Sequence, residues 1–322
     1  MTKLNTDEDL VAFYNVENLF LPDAPPAHKL DPTPSGLASW DDRKYQNKLL
    51  KIAHVFHLMQ EREGSLPVLL GISEVQGRKP LEDLVKLSPF ENEYGIVHYE
   101  SMDERGVDVA LLYKKSSVEI ISSEPISYFF AVENKDSEYY DTTRDILHCR
   151  VRLSGALINF FILHLPSKRE KDVNKSKRDY ILRDLHSKIV NIIDSSGESV
   201  IVCGDFNENP DEKMIANFLF DENHTRIMQN PFANLFKNEN YSTFHYKNGL
   251  LFDQMILSNH FFQADFPLLC EDAQVFNHEK LRTWDSKYVG RPFRTYAGSR
   301  YLGGYSDHFP ILIRLKKNKE DG

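Results

Sequence analysis

Short apolar runs, rich in β-branched and aromatic residues, recur along the chain between polar turns. They lie at Leu10–Tyr14, Val68–Ile72, Gly95–His98, Val107–Tyr113, Ile146–Leu153, Leu157–Leu163, Ser199–Cys203, Phe252–Leu257 and Phe309–Leu315. Runs of this length and composition predict strands. Two longer stretches carry a helical period instead. In DDRKYQNKLLKIAHVFHLMQER, Tyr45, Leu49, Ile52, Phe56 and Met59 recur at helical spacing behind Asp41 or Asp42 as a cap, which predicts a helix with one apolar face. In KSKRDYILRDLHSKIVNIID the stripe is Ile181, Leu185, Ile189 and Ile192, with Gly197 following as a stop. Strands outnumber helices, and the long helices sit between strands. That is the pattern of an α/β sandwich whose sheets are covered by helices. No internal repeat or inter-domain linker breaks it. The Pro-rich stretch from Pro22 to Pro34 reads as a surface loop, and the charged stretch from Lys168 to Lys177 as an exposed turn or helix start.

Several strands end on a group that can bind metal or move a proton. VAFY ends in Asn15, VLLGIS in Glu74, INFFIL in His164, and VIVCG in Asp205 and Asn207. Near the C-terminus the order reverses, and Ser306, Asp307 and His308 precede the strand FPILIRL. Strand ends and their loops are where a rigid α/β scaffold meets an open cleft, so these groups are placed to converge. Carboxylates for a hard cation, a histidine for proton transfer and an amide for positioning make one coherent set.

Composition narrows the setting. A length of 322 residues exceeds the usual single domain, but two-sheet folds use such a length as one unit, and we expect a single catalytic domain over residues 1–322. A net charge of -9 argues against a broad footprint for nucleic acid or anionic membrane. A divalent cation among carboxylates would reverse the field locally. No apolar stretch approaches the length of a membrane span. The start, MTKLNTDEDLVAFYNVENLF, has acids where a signal peptide needs basic and then apolar residues, so a cytoplasmic location is expected. Cys149, Cys203 and Cys270 are spaced too far apart for a metal knuckle and read as buried thiols.

These segments resemble the motif set of the endonuclease/exonuclease/phosphatase superfamily, which has the DNase I-like fold. FYNVEN carries Asn15, GISEVQ carries Glu74, LHLPSK carries His164, GDFNENP carries Asp205 and Asn207, and YSDHFPI carries Asp307 and His308. LFDQMILS, with Asp253, resembles the strand that precedes the last motif, and the tail RPFRTYAGSRYLGGYSDHFP looks like bacterial members. The motifs follow the family's order over nearly the whole chain. The resemblance implies a four-layer sandwich of two packed mixed β-sheets flanked by helices, with a Mg²⁺ or Mn²⁺ site at the sheet ends. It also implies hydrolysis of a phosphate ester by in-line attack of water. Carried over residue by residue, Glu74 binds the metal with help from Asn15 and Asp307. Asp205 and Asn207 orient water and phosphate or hold a second metal. His308 is a general base or transition-state stabiliser with Asp253 as its orienting carboxylate, and His164 donates to the phosphate with Asp108, in RGVDVALLY, behind it. Phosphoryl transfer asks a protein mainly for charge neutralisation and alignment, which this set supplies.

Each residue alone has a plainer reading. Asn15 could close a strand, Glu74 could face water, and GDFN could be an Asx-turn. Their joint occurrence in order argues otherwise. GISEV lacks the second glycine of a nucleophile elbow, and no P-loop, HExxH or GxGxxG is present. Arg144, Arg291 and Arg294 are the expected substrate contacts, because a guanidinium matches phosphate geometry and their aromatic neighbours could stack on a ring. Lys168 and Arg169 follow His164 and could approach a phosphate, while Trp40 and Tyr45 read as core. The expected partner is a phosphate-ester substrate, nucleic acid or a smaller diester. A phosphomonoesterase and a catalytically inert binding module are the alternatives.

Overall fold

A computed structural model describes residues 7–22, 39–103, 105–131, 140–168 and 172–318. Most of the Pro-rich loop, and Arg169, lie outside these residues. Two six-stranded mixed sheets form the centre. The strands are β1 (Glu8–Leu19), β2 (Leu69–Val75), β3 (Tyr94–His98), β4 (Asp108–Lys114), β5 (Val118–Ile126), β6 (Ile146–Leu153), β7 (Ala156–His164), β8 (Ser199–Asp205), β9 (Met228–Gln229), β10 (Asp253–Ser258), β11 (Leu268–Val275) and β12 (Ile311–Lys317). The first sheet has the order β11-β12-β1-β2-β4-β3, and the second the order β9-β10-β8-β7-β6-β5. The long helices are α1 (Asp42–Glu63) and α2 (Lys175–Ser196).

Side-chain alternation explains the layering. On β8, Ile201 and Cys203 join the core between the sheets, while Val200 and Val202 join a second cluster beneath α2. On β7, Phe160 and Ile162 face the first cluster, and Phe161 and Leu163 the second. Period-two alternation with both faces apolar is what a strand covered on both sides requires. Helix α1 buries Tyr45, Leu49, Ile52, Phe56 and Met59 in the first cluster, and α2 buries Ile181, Leu185 and Ile189 in the second. The order helix, sheet, sheet, helix is the four-layer α/β sandwich expected from the sequence.

Both helix ends are set locally. The Asp41 carboxylate accepts from the Lys44 N–H at 2.8 Å, which settles the cap in favour of Asp41. Gly197 closes α2 in the left-handed region. Tyr45 is buried, and Trp40 packs half-buried on the core with its indole N–H on the Phe20 carbonyl. Of the twelve strands in the two central sheets, three were not legible in the pattern: β5, β9 and β11. All lie at sheet edges, and the longer two, VEIISSEPI and LLCEDAQV, alternate poorly because an edge strand leaves much of itself to water. No helix among the described residues is long and apolar enough to cross a membrane.

Candidate active site

Strand register assembles the polar groups. Strand β8 runs parallel to β7 with Asp205 opposite His164, and antiparallel to β10 with Asp205 opposite Asp253. Three chemistry-bearing residues therefore stand in one row at the end of the second sheet. In the first sheet Asn15 pairs with Ser73, and the register then slips on both strands, between Asn15 and Leu19 and between Ser73 and Val75. Glu17, Asn18 and Glu74 sit in these slips with φ of 52°, 54° and 65°. Left-handed backbone at residues other than glycine costs roughly 1–3 kcal/mol each and persists only where neighbours hold it. Here the Asn18 N–H donates to Glu74 Oε2 at 3.0 Å, and the Glu17 N–H donates to Asn15 Oδ1 at 3.1 Å. The bulges turn Glu74 out of the strand alternation and toward the second sheet. Asn15 Nδ2 then bridges the two sheets, 3.4 Å from Glu74 Oε1 and 3.2 Å from Asp205 Oδ2.

The two imidazoles occupy opposite electrostatic settings. His308 Nδ1 lies 2.7 Å from Asp253 Oδ2, which also accepts from the Ser242 hydroxyl at 2.5 Å. Burial alone would lower the His308 pKa, but the Asp253 carboxylate outweighs it and holds the value well above normal. Burial lowers His164, and the Arg144 guanidinium lowers it further. His164 Nε2 is 3.6 Å from Asp205 Oδ2 and 3.9 Å from Glu74 Oε1, while its Nδ1 is buried with no hydrogen-bond partner among the described residues. The expected carboxylate behind it is elsewhere. Asp108 accepts from the Ser101 N–H and hydroxyl through Oδ1 and faces His98 Nε2 at 3.0 Å through Oδ2. Asp108 lies on β4 of the first sheet, so it braces the loop after β3 rather than His164.

The GDFN segment is fixed from several sides. A Cβ on Gly204 would lie 2.0 Å from the Leu163 carbonyl oxygen, so only glycine permits β8 to pass β7 this closely. Asn207 donates through Nδ2 to the Leu165 carbonyl at 2.9 Å, and its N–H donates to Asp205 Oδ1 at 2.9 Å. The next residue, Glu208, is buried against Arg178 of α2 at 2.7 Å and against Lys168 at 2.5 Å. Lys168 is thus held in an ion cluster and does not stand free for phosphate. Burial, then repulsion from Asp253, pushes Asp205 up to about 7. Glu74 is held below its ordinary value despite burial, chiefly by Arg105 and the imidazoles.

The arginines divide. Arg144 is buried, pairs with Asp103 at 3.5 Å and is close enough to depress His164. Arg105, which the sequence reading passed over, reaches Glu74 Oε2 at 4.0 Å and donates to Asn18 Oδ1 at 2.6 Å. Arg294 is exposed, and its guanidinium donates to Asp307 Oδ2 at 2.7 Å with Glu17 3.9 Å away, so it pairs the carboxylate from the solvent side. Burial opposes ionisation of Asp307, but His308, Arg294 and Lys48 keep its pKa low. Arg291 lies over the rings of Phe244 and Tyr288, 5.4 and 4.9 Å from their centroids. Thr243, beside Phe244, bridges to His308, which puts that ring stack next to the histidine.

The donor set fits a hard divalent cation. Glu74 and Asp205, both buried or nearly so, converge on one amide group, and burial destabilises the charge on Asp205. Among the described residues, one ligand atom each from Asp205, Asp253 and His308 lies within 4.8 Å of the others. Asp253 Oδ2 is committed to Ser242 and His308, but its Oδ1 is buried without a hydrogen-bond partner among the described residues, so donors lie on both sides of Asp205, at Glu74 and Asn15 and at Asp253.

Strand-end carboxylates, a carboxylate-backed histidine and flanking guanidinium groups on two packed mixed sheets define a phosphoester-hydrolysing enzyme. The chain belongs to the endonuclease/exonuclease/phosphatase family, whose model matches residues 10–317. Among solved structures, a humanized D. rerio TDP2 is similar at a TM-score of 0.60 and 18% identity, covering 97% of this chain and 100% of that one. A mannosyl-6-phosphatase from Bacteroides thetaiotaomicron gives 0.58 and 14%, covering 95% and 99%. The catalytic domain of human Nocturnin gives 0.54 and 15%, covering 97% and 95%. At such identities the likeness is one of fold. None of the curated proteins compared by sequence matches the chain.

Proposed function

We propose that residues 1–322 form one catalytic unit that hydrolyses a phosphodiester by in-line attack of water, with Mg²⁺ or Mn²⁺ held by Glu74, Asn15 and Asp307. The observation that carries this reading is the convergence of Glu74 and Asp205 on Asn15, with two imidazoles of opposite electrostatic setting beside them. When bound, the cation neutralises phosphate charge and lowers the pKa of coordinated water. Asp205, positioned by the Asn207 N–H, takes the proton from the attacking water. The His308 imidazolium, kept charged by Asp253, donates to a phosphate oxygen as charge builds there. His164 stays neutral and orients a second oxygen. Arg105 beside Glu74 and Arg144 beside His164 supply fixed positive charge.

A diester is favoured over a monoester because the surface beside His308 continues into Arg291, Phe244 and Tyr288. A planar cation between rings suits the second substituent of a diester, such as a nucleotide base. The D. rerio TDP2 complexed with single-strand DNA product belongs to the same fold, and the charge of -9 weighs against long duplexes. The test is turnover of bis-p-nitrophenyl phosphate, p-nitrophenyl phosphate and single-stranded DNA with Mg²⁺, Mn²⁺ or EDTA. Diester cleavage abolished by EDTA is expected. Activity indifferent to EDTA would sink the metal reading, and cleavage of the monoester alone would move the assignment to a phosphatase.

A further inference from the structure

One buried cation touches neither substrate nor metal in the scheme above. Lys48 projects from α1 and is 1% exposed. Among the described residues its ammonium has no carboxylate within salt-bridge distance. Its Nζ instead donates to the Thr295 hydroxyl and to the Tyr305 carbonyl, each at 2.6 Å. Burying an ammonium is unfavourable unless its hydrogen bonds are well made, so these two contacts mark the site where that burial is repaid.

Both partners belong to one loop. The Tyr305 N–H donates to the Phe293 carbonyl at 2.6 Å, the Gly304 N–H to the Arg294 carbonyl at 3.2 Å, and the Leu302 N–H to the Thr295 carbonyl at 2.8 Å. The arms are so close that a Cβ on Gly304 would lie 2.1 Å from the Phe293 carbonyl oxygen. Lys48 touches one arm through Thr295 and the other through Tyr305. Glu17 adds to the clasp, accepting from the Thr295 N–H at 2.6 Å and the Tyr296 N–H at 3.4 Å. The chain then leads directly into the active centre. Ser306 donates through its hydroxyl to the Asn15 carbonyl at 2.7 Å, and Asp307 and His308 follow.

We propose that Lys48 is a positioning residue, whose ammonium pins both arms of the 293–305 loop to α1 and thereby sets where Asp307 and His308 stand relative to Asn15. The pinning follows from the contacts alone; its catalytic consequence rests on the phosphodiesterase reading. A methionine would fill the same volume, so the proposal attributes the effect to the charged hydrogen bonds and not to helix packing. Thr295→Val removes one acceptor while leaving Lys48 and Tyr305 untouched.

Hydrogen–deuterium exchange of the full chain in EDTA, read by mass spectrometry, tests the pinning without substrate or metal. In Lys48→Met, exchange of the 293–307 amides should quicken by at least about tenfold, since two charged hydrogen bonds are lost, with the sheets unchanged. Thr295→Val should give a smaller acceleration in the same segment. With Mn²⁺ and bis-p-nitrophenyl phosphate, kcat of Lys48→Met should fall at least about tenfold while KM moves less than about threefold, because alignment and not substrate binding is lost. Unchanged loop exchange in both variants, acceleration spread evenly over the chain, or a fast-exchanging loop with full kcat would each overturn the proposal. Should Lys48→Met fail to fold, the same readings on Thr295→Val decide it. A wild-type protein inert toward the diester would count against the phosphodiesterase reading alone, and the exchange comparison would still judge the pinning.

Discussion

Replacing Asp253 by asparagine removes one charge from a buried pair and little else. Asp253 is fully buried, its Oδ2 lies 2.7 Å from His308 Nδ1, and the same oxygen accepts from Ser242. Asparagine keeps the shape and can still accept from the Ser242 hydroxyl. What it cannot do is favour the imidazolium. A hydrogen bond between charged partners contributes about 1.5–3 kcal/mol. At about 1.4 kcal/mol per pH unit, its loss should lower the His308 pKa by roughly one to two units. If the charged imidazole is the working form, the alkaline limb of kcat/KM should move to lower pH by that amount, and kcat should drop by at least about a hundredfold because the amide no longer fixes the imidazole's tautomer. The sign also extends to stability. A folded-state pKa above 6.5 contributes stability that is fully present below 6.5 and fades as pH rises through the folded value. Asp253→Asn should therefore destabilise most on the acid side. The assay is a pH–rate profile on bis-p-nitrophenyl phosphate, paired with NMR titration of the histidine C–H signals. An unmoved alkaline limb together with kcat within about threefold of wild type would refute the reasoning.

Asp205→Asn should abolish turnover yet stabilise the metal-free protein. The folded-state pKa of Asp205 is about 7 against an ordinary 3.8, so ionising it costs stability progressively as pH rises between those values and by a constant amount above them. Calorimetry in EDTA should show a gain in Tm that grows through this window and levels off, at roughly 2–4 °C per kcal/mol recovered; a lower Tm at alkaline pH would contradict it. Glu208→Ala strands the fully buried Arg178 guanidinium, which Glu208 pairs at 2.7 Å. Urea unfolding should show a loss of about 3–5 kcal/mol, and a loss below about 1 kcal/mol would show that Asp172 alone satisfies the arginine.

Much of the architecture was legible because its causes are local. Alternation and helical period depend on neighbours a few residues away, so the central strands and both long helices follow from the pattern. The groups at strand ends were legible for the same reason: each motif is a strand followed by the residue it delivers. Partnership was less accessible. Asp253 and His308 are 55 positions apart, and their pairing was anticipated through family resemblance. Asp108, anticipated behind His164 in the same way, faces His98 on the neighbouring strand β3 instead. The period of α1 sets Lys48 beside the buried stripe, three residues after Tyr45 and four before Ile52, but that its ammonium meets Thr295 and Tyr305 there depends on where the distant 293–305 loop packs. Arg105 and Glu17 acquire meaning from the bulges and loops that aim them.

The sequence by itself determined which elements form and which polar residues they carry to their ends. Only the tertiary structure decided which carboxylate faces which cation, since that depends on register and loop closure between segments far apart in the chain. The energy of a charge pair scales inversely with its separation and its hydrogen bonds need direct contact, whereas the chain order of the same residues says nothing about that separation.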